Sequence, residues 1–583
     1  MAPSRRHASG RWWLPHAAAV IVGAAAVGVA AAGAAAPVEY DTWLKAWRAG
    51  EAGSLIPTSN GGRGPLGLHW MAPLLSGGGY CSEAMAYLMA LVGGSGVTVS
   101  AEQHGDSVNS QYLHGLPPLE HQVLGTLLAR TPSMSRTIVV CHSEPGAWHL
   151  PAHPQRYMTS ICPPAAAAFR VGRTMFETDR LPSGWAARLN AMDEVWVPSS
   201  FARDVFAAGG VERGKLVVVP EAVDTSFFDP AAVPNPPMNA HIKPRVACAL
   251  PPDADAPPPP INYDDYEDDD GEGEYEEEEV APPQTAAAGA LLRGASPLCP
   301  VRFLSVGKWE RRKNYAALLR AFLTTFARRA DTPAEAAPPY AELYILTSAY
   351  HSSGDFEAAI ATMVATTLAC PDPDADATSV GVGVDGRPVP QPRDDTPVTP
   401  QPCVPRNLTA AGWTLPPVRL LRDIPQTDMP LIYASVDAFV SPTRGEGWGR
   451  PHVEAMAMGL PVLATNWSGI TEFLTPDVGY PIPYTHLAPI PDGAFAGHLQ
   501  AEVDVPALAV AMRHVARNPA AAAAKGAAAR AAMVARYQPA TLAAFLAHQV
   551  TRITALVHSR ELFAREAAQH EALAAARAGP GAM

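Results

Sequence analysis

Residues 437–465 read DAFVSPTRGEGWGRPHVEAMAMGLPVLAT. A short apolar run, DAFV, enters a loop that holds Gly445, Gly447 and Gly449. Pro451 follows, then a stretch with helical periodicity, then a second apolar run, LPVLAT. The order predicts strand, glycine loop, helix and strand. Proline is favoured in the first turn of a helix, where no N–H is needed. Glycines let the backbone come close to a ligand. The unpaired N–H groups at a helix start, with the helix dipole behind them, favour an anion such as a phosphate. Glu446 and Glu454 flank this loop with seven residues between them. Their carboxylates are acceptors suited to hydroxyl groups.

Moving outward, residues 303–314 read FLSVGKWERRKN. Here Gly307 ends an apolar strand, and Lys308, Arg312 and Lys313 follow it. The strand VRFLSV, a helix over Lys313–Arg329 carrying Leu318, Leu319, Phe322 and Phe326, and the strands LYILT (343–347), VRLL (418–421) and LPVLAT alternate as in a parallel sheet covered by helices. An upstream region repeats the theme. MAPLL (71–75) leads into Gly77, Gly78 and Gly79 and a helix over Ser82–Val92. TIVVC (137–141), EVWV (194–197) and LVVV (216–219) supply further strands. The reading is two Rossmann-like halves, 72–229 and 300–540, with a helical segment over 541–583. Residues 230–299 and 371–417 break the pattern. They are rich in Pro and acids and are expected to be disordered.

The segment around Glu446 resembles the signature of retaining glycosyltransferases of family 4, which have the GT-B fold. That fold implies two Rossmann-like domains facing a central cleft, here interrupted by two disordered insertions. By this resemblance Glu446 contacts hydroxyls of the transferred sugar and Glu454 holds the ribose. Gly447, Trp448 and Gly449 present backbone amides to the phosphates, and Lys308 and Lys313, with Arg312 beside them, grip the diphosphate. Gly78 and Gly79 correspond to the loop that approaches the donor. His142, in CHSEPGAW, corresponds to a histidine that faces the reacting sugar, with Glu144 as a neighbour. Arg173, Glu177, Asp179 and Arg180, in VGRTMFETDRLPSGW (171–185), are read as lining for acceptor or donor sugar. The implied reaction moves a hexose from a UDP- or GDP-linked donor to a glycan, lipid or protein acceptor, with retention, no required cofactor and no metal ligands. Two other readings are a catalytically silent GT-B protein that binds sugar nucleotides, and a phosphorylase-type GT-B enzyme.

Composition bounds the partners. Of the net charge of −13, a single stretch, Ile261–Glu279, contributes 12 acids and no base, so the rest is nearly neutral and a nucleic-acid partner is not expected. Arg5, Arg6 and Arg11 precede an apolar run, Ala17–Ala36, about as long as a membrane-spanning helix requires. The reading is a cytosolic tail (1–16), a signal anchor (17–36) and a stem (37–71), with the catalytic part in the Golgi or ER lumen. A cleaved signal peptide or a transit peptide are the alternatives. Cys248 with Cys299, and Cys370 with Cys403, bracket the two insertions and could close them as disulfides. Asn407 and Asn466 lie in glycosylation sequons. Asn407 is the expected site of modification, and Asn466 is expected to stay bare.

Overall fold

The computed structural model describes residues 39–49, 64–93, 95–148, 160–234, 241–242, 300–332, 338–348, 355–367 and 413–578. The expected anchor, the acidic run, most of the second insertion, Asn407 and the cysteines at 248, 299, 370 and 403 lie outside the described residues. The chain packs into two units. One comprises residues 1–176, 180–222 and 536–583, the other residues 177–179 and 223–535.

The first unit runs α1 (Tyr40–Arg48), β1 (Gly67–Ala72), α2 (Gly79–Val92), β2 (Val99–Gln103), α3 (Ser110–His114), α4 (Pro118–Leu128), β3 (Thr137–His142), β4 (Phe169–Arg173), α5 (Trp185–Asn190), β5 (Glu194–Val197), α6 (Ser200–Ala208) and β6 (Leu216–Val218). Its six strands are parallel, in the order β2-β1-β3-β4-β5-β6. β3 is buried along its whole length, as a strand covered on both faces must be. The order changes direction between β1 and β3. Loops leaving these two strands diverge and open a crevice at their C-terminal ends.

The first strand starts earlier than MAPLL suggests. Pro73 has no N–H to give to a ladder, so β1 ends at Ala72. The expected stem also holds structure. Tyr40, Trp43, Leu44 and Trp47 recur at helical spacing, and Tyr40 and Trp43 pack against Phe545 of the C-terminal helix Pro539–Ala578. That helix also covers α2. One 18-residue window within Pro519–Ala574 is apolar enough to cross a membrane. Since 72% of it is buried within the protein, packing accounts for its hydropathy. A disulfide joins Cys141, near the end of β3, to Cys162, with the Cα atoms 5.8 Å apart. Sequence reading had paired neither residue.

The second unit continues with β7 (Val301–Val306), α7 (Tyr315–Phe326), β8 (Arg328–Arg329), β9 (Ala341–Leu346), α8 (Phe356–Thr367), β10 (Trp413–Thr414), β11 (Val418–Leu421), α9 (Met429–Ala434), β12 (Ala438–Ser441), α10 (Arg450–Ala457), β13 (Val462–Thr465), β14 (Tyr480–Ile482), β15 (Tyr484–Pro489), β16 (Leu499–Val503), α11 (Val505–Arg517) and α12 (Pro519–Arg536). The main sheet is parallel with order β11-β9-β7-β12-β13-β14. Counted along the chain this is 3-2-1-4-5-6, the Rossmann order, with its switch point between β7 and β12. α7 and α11 pack on one another, and Phe303, Leu318, Phe322, Ile345, Val440, Met512 and Val515 share a core with them.

One buried ion pair ties the C-terminal helix to the first sheet. Arg552 donates through Nη2 to both oxygens of Glu194 at 2.7 Å, and both side chains are almost wholly buried. Removing one partner strands the other charge away from water. We expect Arg552→Ala to lower unfolding stability by about 3–5 kcal/mol, measured by urea denaturation of the purified chain. A loss below about 1 kcal/mol, the size of a surface pair, would show that Glu194 does not depend on it.

Candidate active site

Two loops leave the switch point of the second sheet. The loop after β7 carries Gly307 to Lys313, and the loop after β12 carries Thr443 to Gly449. The topology therefore brings together residues more than 130 positions apart in sequence, and the centre of the meeting is Glu446. Its Oε1 accepts from Lys313 Nζ at 2.6 Å and from Thr443 Oγ1 at 2.9 Å, and its Oε2 accepts from Arg312 Nη1 at 2.6 Å. Burial raises the pKa of Glu446, but the Arg312 guanidinium and the Lys313 ammonium outweigh it and hold the carboxyl far below its ordinary range. Arg312 also donates to the Gly445 carbonyl (2.6 Å) and to Glu310 Oε1 (2.7 Å), and pairs with Glu177 (3.4 Å). Backbone bonds fix the register, since Arg444 N donates to the Arg312 carbonyl at 2.8 Å.

The glycines here have separate reasons. Gly449 sits at φ +112°, just before α10, and a Cβ there would lie 2.9 Å from His452 Nδ1. Gly469 packs against the loop so closely that a Cβ would meet the Gly447 carbonyl oxygen at 2.2 Å. Ser468 holds Glu446 from behind, accepting from its backbone N–H at 2.7 Å. The Trp448 ring faces inward, edge-on to Phe473 with centroids 5.0 Å apart, and so anchors the loop. Gly447, Trp448 and Gly449 thus precede α10, in whose first turn Pro451 has no N–H and the N–H groups of His452 and Val453 donate to the Gly449 carbonyl at 3.0 and 3.3 Å. Glu454 lies one turn into α10, buried, accepting from Tyr433 Oη at 3.0 Å with Arg450 3.9 Å away. Burial raises its pKa despite Arg450 and the tyrosine bond. Lys308 is exposed on the loop after β7.

In the first unit, Gly78 caps α2 and Gly79 begins it, at the end of β1 beside that sheet's switch point. His142 ends β3 but offers no nitrogen to a sugar in this arrangement. Trp70 Nε1 donates to its Nδ1 at 2.9 Å. Nε2 therefore carries the proton and donates to Glu83 Oε2, also at 2.9 Å. Burial keeps the ring neutral, lowering its pKa against the pull of Glu83. Glu83 in turn is paired with Arg173, which also donates to the Val219 carbonyl at 2.7 Å and to Tyr87 Oη at 2.9 Å. Sequence reading put His142 and Arg173 at the substrate. The structure buries both in one network. Glu144 is exposed, as is Arg180. Glu177 and Asp179 pack in the second unit, where Asp179 Oδ1 accepts from Leu499 N at 2.6 Å.

Thr443, Ser468 and His452 were missed. Threonine and serine give no signal without a known partner, and His452 reads as one residue of a helix.

Residues 400–517 match the family described as "Glycosyl transferases group 1". Over 64 residues the chain is 39% identical to O-antigen chain mannosyltransferase B of Escherichia coli, covering 11% of this chain and 16% of that protein. Over 49 residues it is 45% identical to the lipopolysaccharide core biosynthesis mannosyltransferase LpsB of Rhizobium meliloti (strain 1021), covering 8% of this chain and 14% of that one. The matches thus span about one-sixth of the length of these curated relatives. Among solved structures, Anabaena Alr3699/HepE in complex with UDP and glucose is 11% identical, with a TM-score of 0.43, covering 83% of this chain and 98% of that one. Residues 400–517 of the second unit are thus similar to group 1 glycosyltransferases, and each unit is built on a six-stranded parallel sheet, the second in the Rossmann order.

A carboxylate held below its unfolded pKa of about 4.3 adds stability above that value and loses it as pH falls. We expect Arg312→Met to weaken the hold on Glu446. Unfolding stability measured by urea between about pH 6 and about pH 3 should then fall less steeply with acid than in the parent chain. An unchanged slope would contradict the assignment of Arg312 as the main stabiliser of that charge.

Proposed function

We propose that this chain is a retaining glycosyltransferase that moves a neutral hexose from a UDP- or GDP-linked donor to an acceptor hydroxyl. The observation that carries the reading is the cluster of Glu446, Lys313 and Arg312 at the Rossmann switch point, within and beside a segment matching group 1 glycosyltransferases. The donor's diphosphate takes its place beside Gly447, Trp448 and Gly449 at the start of α10, where the helix dipole favours an anion. It competes for Lys313, which releases Glu446 Oε1 to accept hydrogen bonds from sugar hydroxyls. Glu454, short of donors in its buried position, accepts from the ribose hydroxyls. Lys313 and Lys308 offset the negative charge that grows on the diphosphate as the bond from the anomeric carbon to the phosphate oxygen breaks. The acceptor oxygen bonds to the same face of that carbon, and its proton passes to the departing phosphate. A nucleoside diphosphate and the glycoside leave.

The acceptor is a glycan, lipid or protein carrying a free hydroxyl. We place the catalytic units in the lumen of the ER or Golgi, behind the apolar run Ala17–Ala36. The Cys141–Cys162 disulfide accords with an oxidising compartment. Non-reducing peptide mapping of the chain purified from a secretory host should recover these two cysteines linked, and two free thiols would argue for a reducing compartment.

The reaction is tested by incubating the chain with UDP- and GDP-hexoses and measuring nucleoside diphosphate release. We expect release with at least one donor, and a fall in kcat of about 10²–10³-fold for Glu446→Gln, measured below the variant's own melting temperature, which the loss of the charge should lower. Proton NMR of the glycoside should show the donor's anomeric configuration. An inverted product would sink the retaining mechanism, and full activity in Glu446→Gln would sink the site.

A further inference from the structure

Arg312 is the joint between the two loops at the switch point of the second sheet. Its side chain is a flat fork whose N–H groups leave in fixed directions. Each of its three nitrogens faces an acceptor. Nη1 donates to Glu446 Oε2 and to the Gly445 carbonyl, both at 2.6 Å. Nη2 donates to Glu310 Oε1 at 2.7 Å. Nε lies 3.4 Å from Glu177 Oε1. The three carboxylates differ in where they are anchored. Glu310 is two residues from Arg312 and moves with it. Glu446 is the group that Arg312 holds. Glu177 belongs to neither loop.

Glu177 stands in a three-residue strap, Glu177–Asp179, that the segment after β4 contributes to the second unit. The strap is fastened at the start of β16. Asp179 N donates to the Leu499 carbonyl at 3.3 Å, Leu499 N donates to Asp179 Oδ1 at 2.6 Å, and Thr178 Oγ1 lies 2.8 Å from His498 Nδ1. β16 is itself tied to the loop after β12. Ala501 N donates to the Arg444 carbonyl at 3.0 Å, and Arg444 Nε donates to Glu502 Oε1 at 2.6 Å. The strap also touches that loop directly. The Glu177 carbonyl oxygen lies 2.6 Å from where a Cβ on Gly445 would stand, so glycine leaves the room it needs. The carboxylate of Glu177 therefore meets Arg312 from a fixed base. Burial, with the charges of Glu446 and Glu310, raises its pKa against the pull of Arg312. Negative charge is thus disfavoured at Glu177, and the useful part of the side chain is the position of its oxygen.

We propose that Glu177 is a positioning residue for the transfer reaction: it sets the direction of the Arg312 fork, and through that fork the direction of the Glu446 carboxylate. This rests on the reading of Glu446 as a contact of the transferred sugar. A group that serves the transition state has to be held closely, since a displacement of about 1 Å can cost 10²-fold in rate. Glu446 and Glu310 already match the charge of Arg312. What Glu177 adds is an acceptor at the right reach for Nε, which stops the fork from turning about its other bonds.

Nucleoside diphosphate release at varied donor concentration tests this on the full chain, Glu177→Asp, Glu177→Gln and Thr178→Val. Aspartate keeps the charge but draws the oxygen back by one methylene. Glutamine keeps an oxygen at the original reach and drops the charge. Valine takes the Thr178 hydroxyl from His498 and leaves the Arg312 pair in place. We expect Glu177→Asp to lower kcat by about tenfold, with the donor KM nearly unchanged. Glu177→Gln and Thr178→Val should keep most of the parent's kcat. Thermal melts place every assay below the variant's own midpoint. A parent-like kcat in Glu177→Asp overturns the role of Glu177. So does a Glu177→Gln as slow as Glu177→Asp, which would make the charge decisive, or an equal loss in Thr178→Val, which would make the packing of the strap decisive. In these cases the parent still turns over and the donor reading stands. If the parent chain releases no nucleoside diphosphate from any UDP- or GDP-hexose, the donor reading falls, and the role of Glu177 with it.

Discussion

The carboxylate of Glu446 is held between an ammonium and a guanidinium that come from a different loop, and much of the second unit depends on that arrangement. A lone carboxylate this deep would take up a proton. Two cations without it would repel each other and the start of α10. Together they are stable, because each charge has an opposite partner at hydrogen-bond distance. The fold supplies the partners by its strand order. β7 and β12 are neighbours in the sheet although more than 130 residues separate them, and the loops at their C-terminal ends have nowhere to go but towards each other. The Arg444-to-Arg312 backbone bond and the Ser468 support behind Glu446 then hold the side chains to one geometry. Arg312 is shared by Glu446, Glu310 and Glu177, so its charge is largely spent within the protein. Lys313, whose carboxylate partner among the described residues is Glu446, is better placed to turn to a ligand.

The first unit solves a related problem with different residues. Glu83 on α2 is wholly buried and is held charged by Arg173 at the end of β4, against the cost of its burial. His142 and Tyr87 fill the remaining valences of this pair. The result is a rigid polar knot beneath the strand ends of the sheet. It spans α2, β3 and β4, and through the Arg173 bond to the Val219 carbonyl it reaches the segment after β6. Such a knot ties the loops above it to the sheet.

How much of this could be read in the sequence depended on the range of the signal. EVWV, VRLL and VRFLSV were legible to the residue, because a buried parallel strand is a short apolar run with little to confuse it. The glycine loop was legible from its order of strand, glycines, Pro451 helix and strand, whereas the two glutamates stand out through the resemblance to the family 4 signature, their spacing alone being a weak signal. β2 (VSAEQ) and β4 (FRVGR) were not seen. They carry polar residues that only tertiary partners make tolerable, and Arg173 in β4, read as lining for a sugar, finds its partner in the buried Glu83. The partners of His142 were hidden for the same reason. Its sequence position after a strand was right, but what its nitrogens face is decided by Trp70 and Glu83, 72 and 59 residues away. The helix over Tyr40–Arg48 was lost because a sparse aromatic spacing next to an apolar run does not stand out. Its partners, Tyr537 and Phe545, lie nearly 500 residues further on.

That distance has a consequence for biosynthesis. The first unit begins near the N-terminus but is completed by residues 536–583, with the whole second unit made in between. As the chain leaves the ribosome, the apolar faces of α1 and α2 have no lid until the last helix emerges. The second unit, contiguous apart from residues 177–179, has its full sequence earlier. The order of synthesis therefore sets an order of folding, in which the later half matures first and the earlier half waits, exposed, for its final forty residues or so.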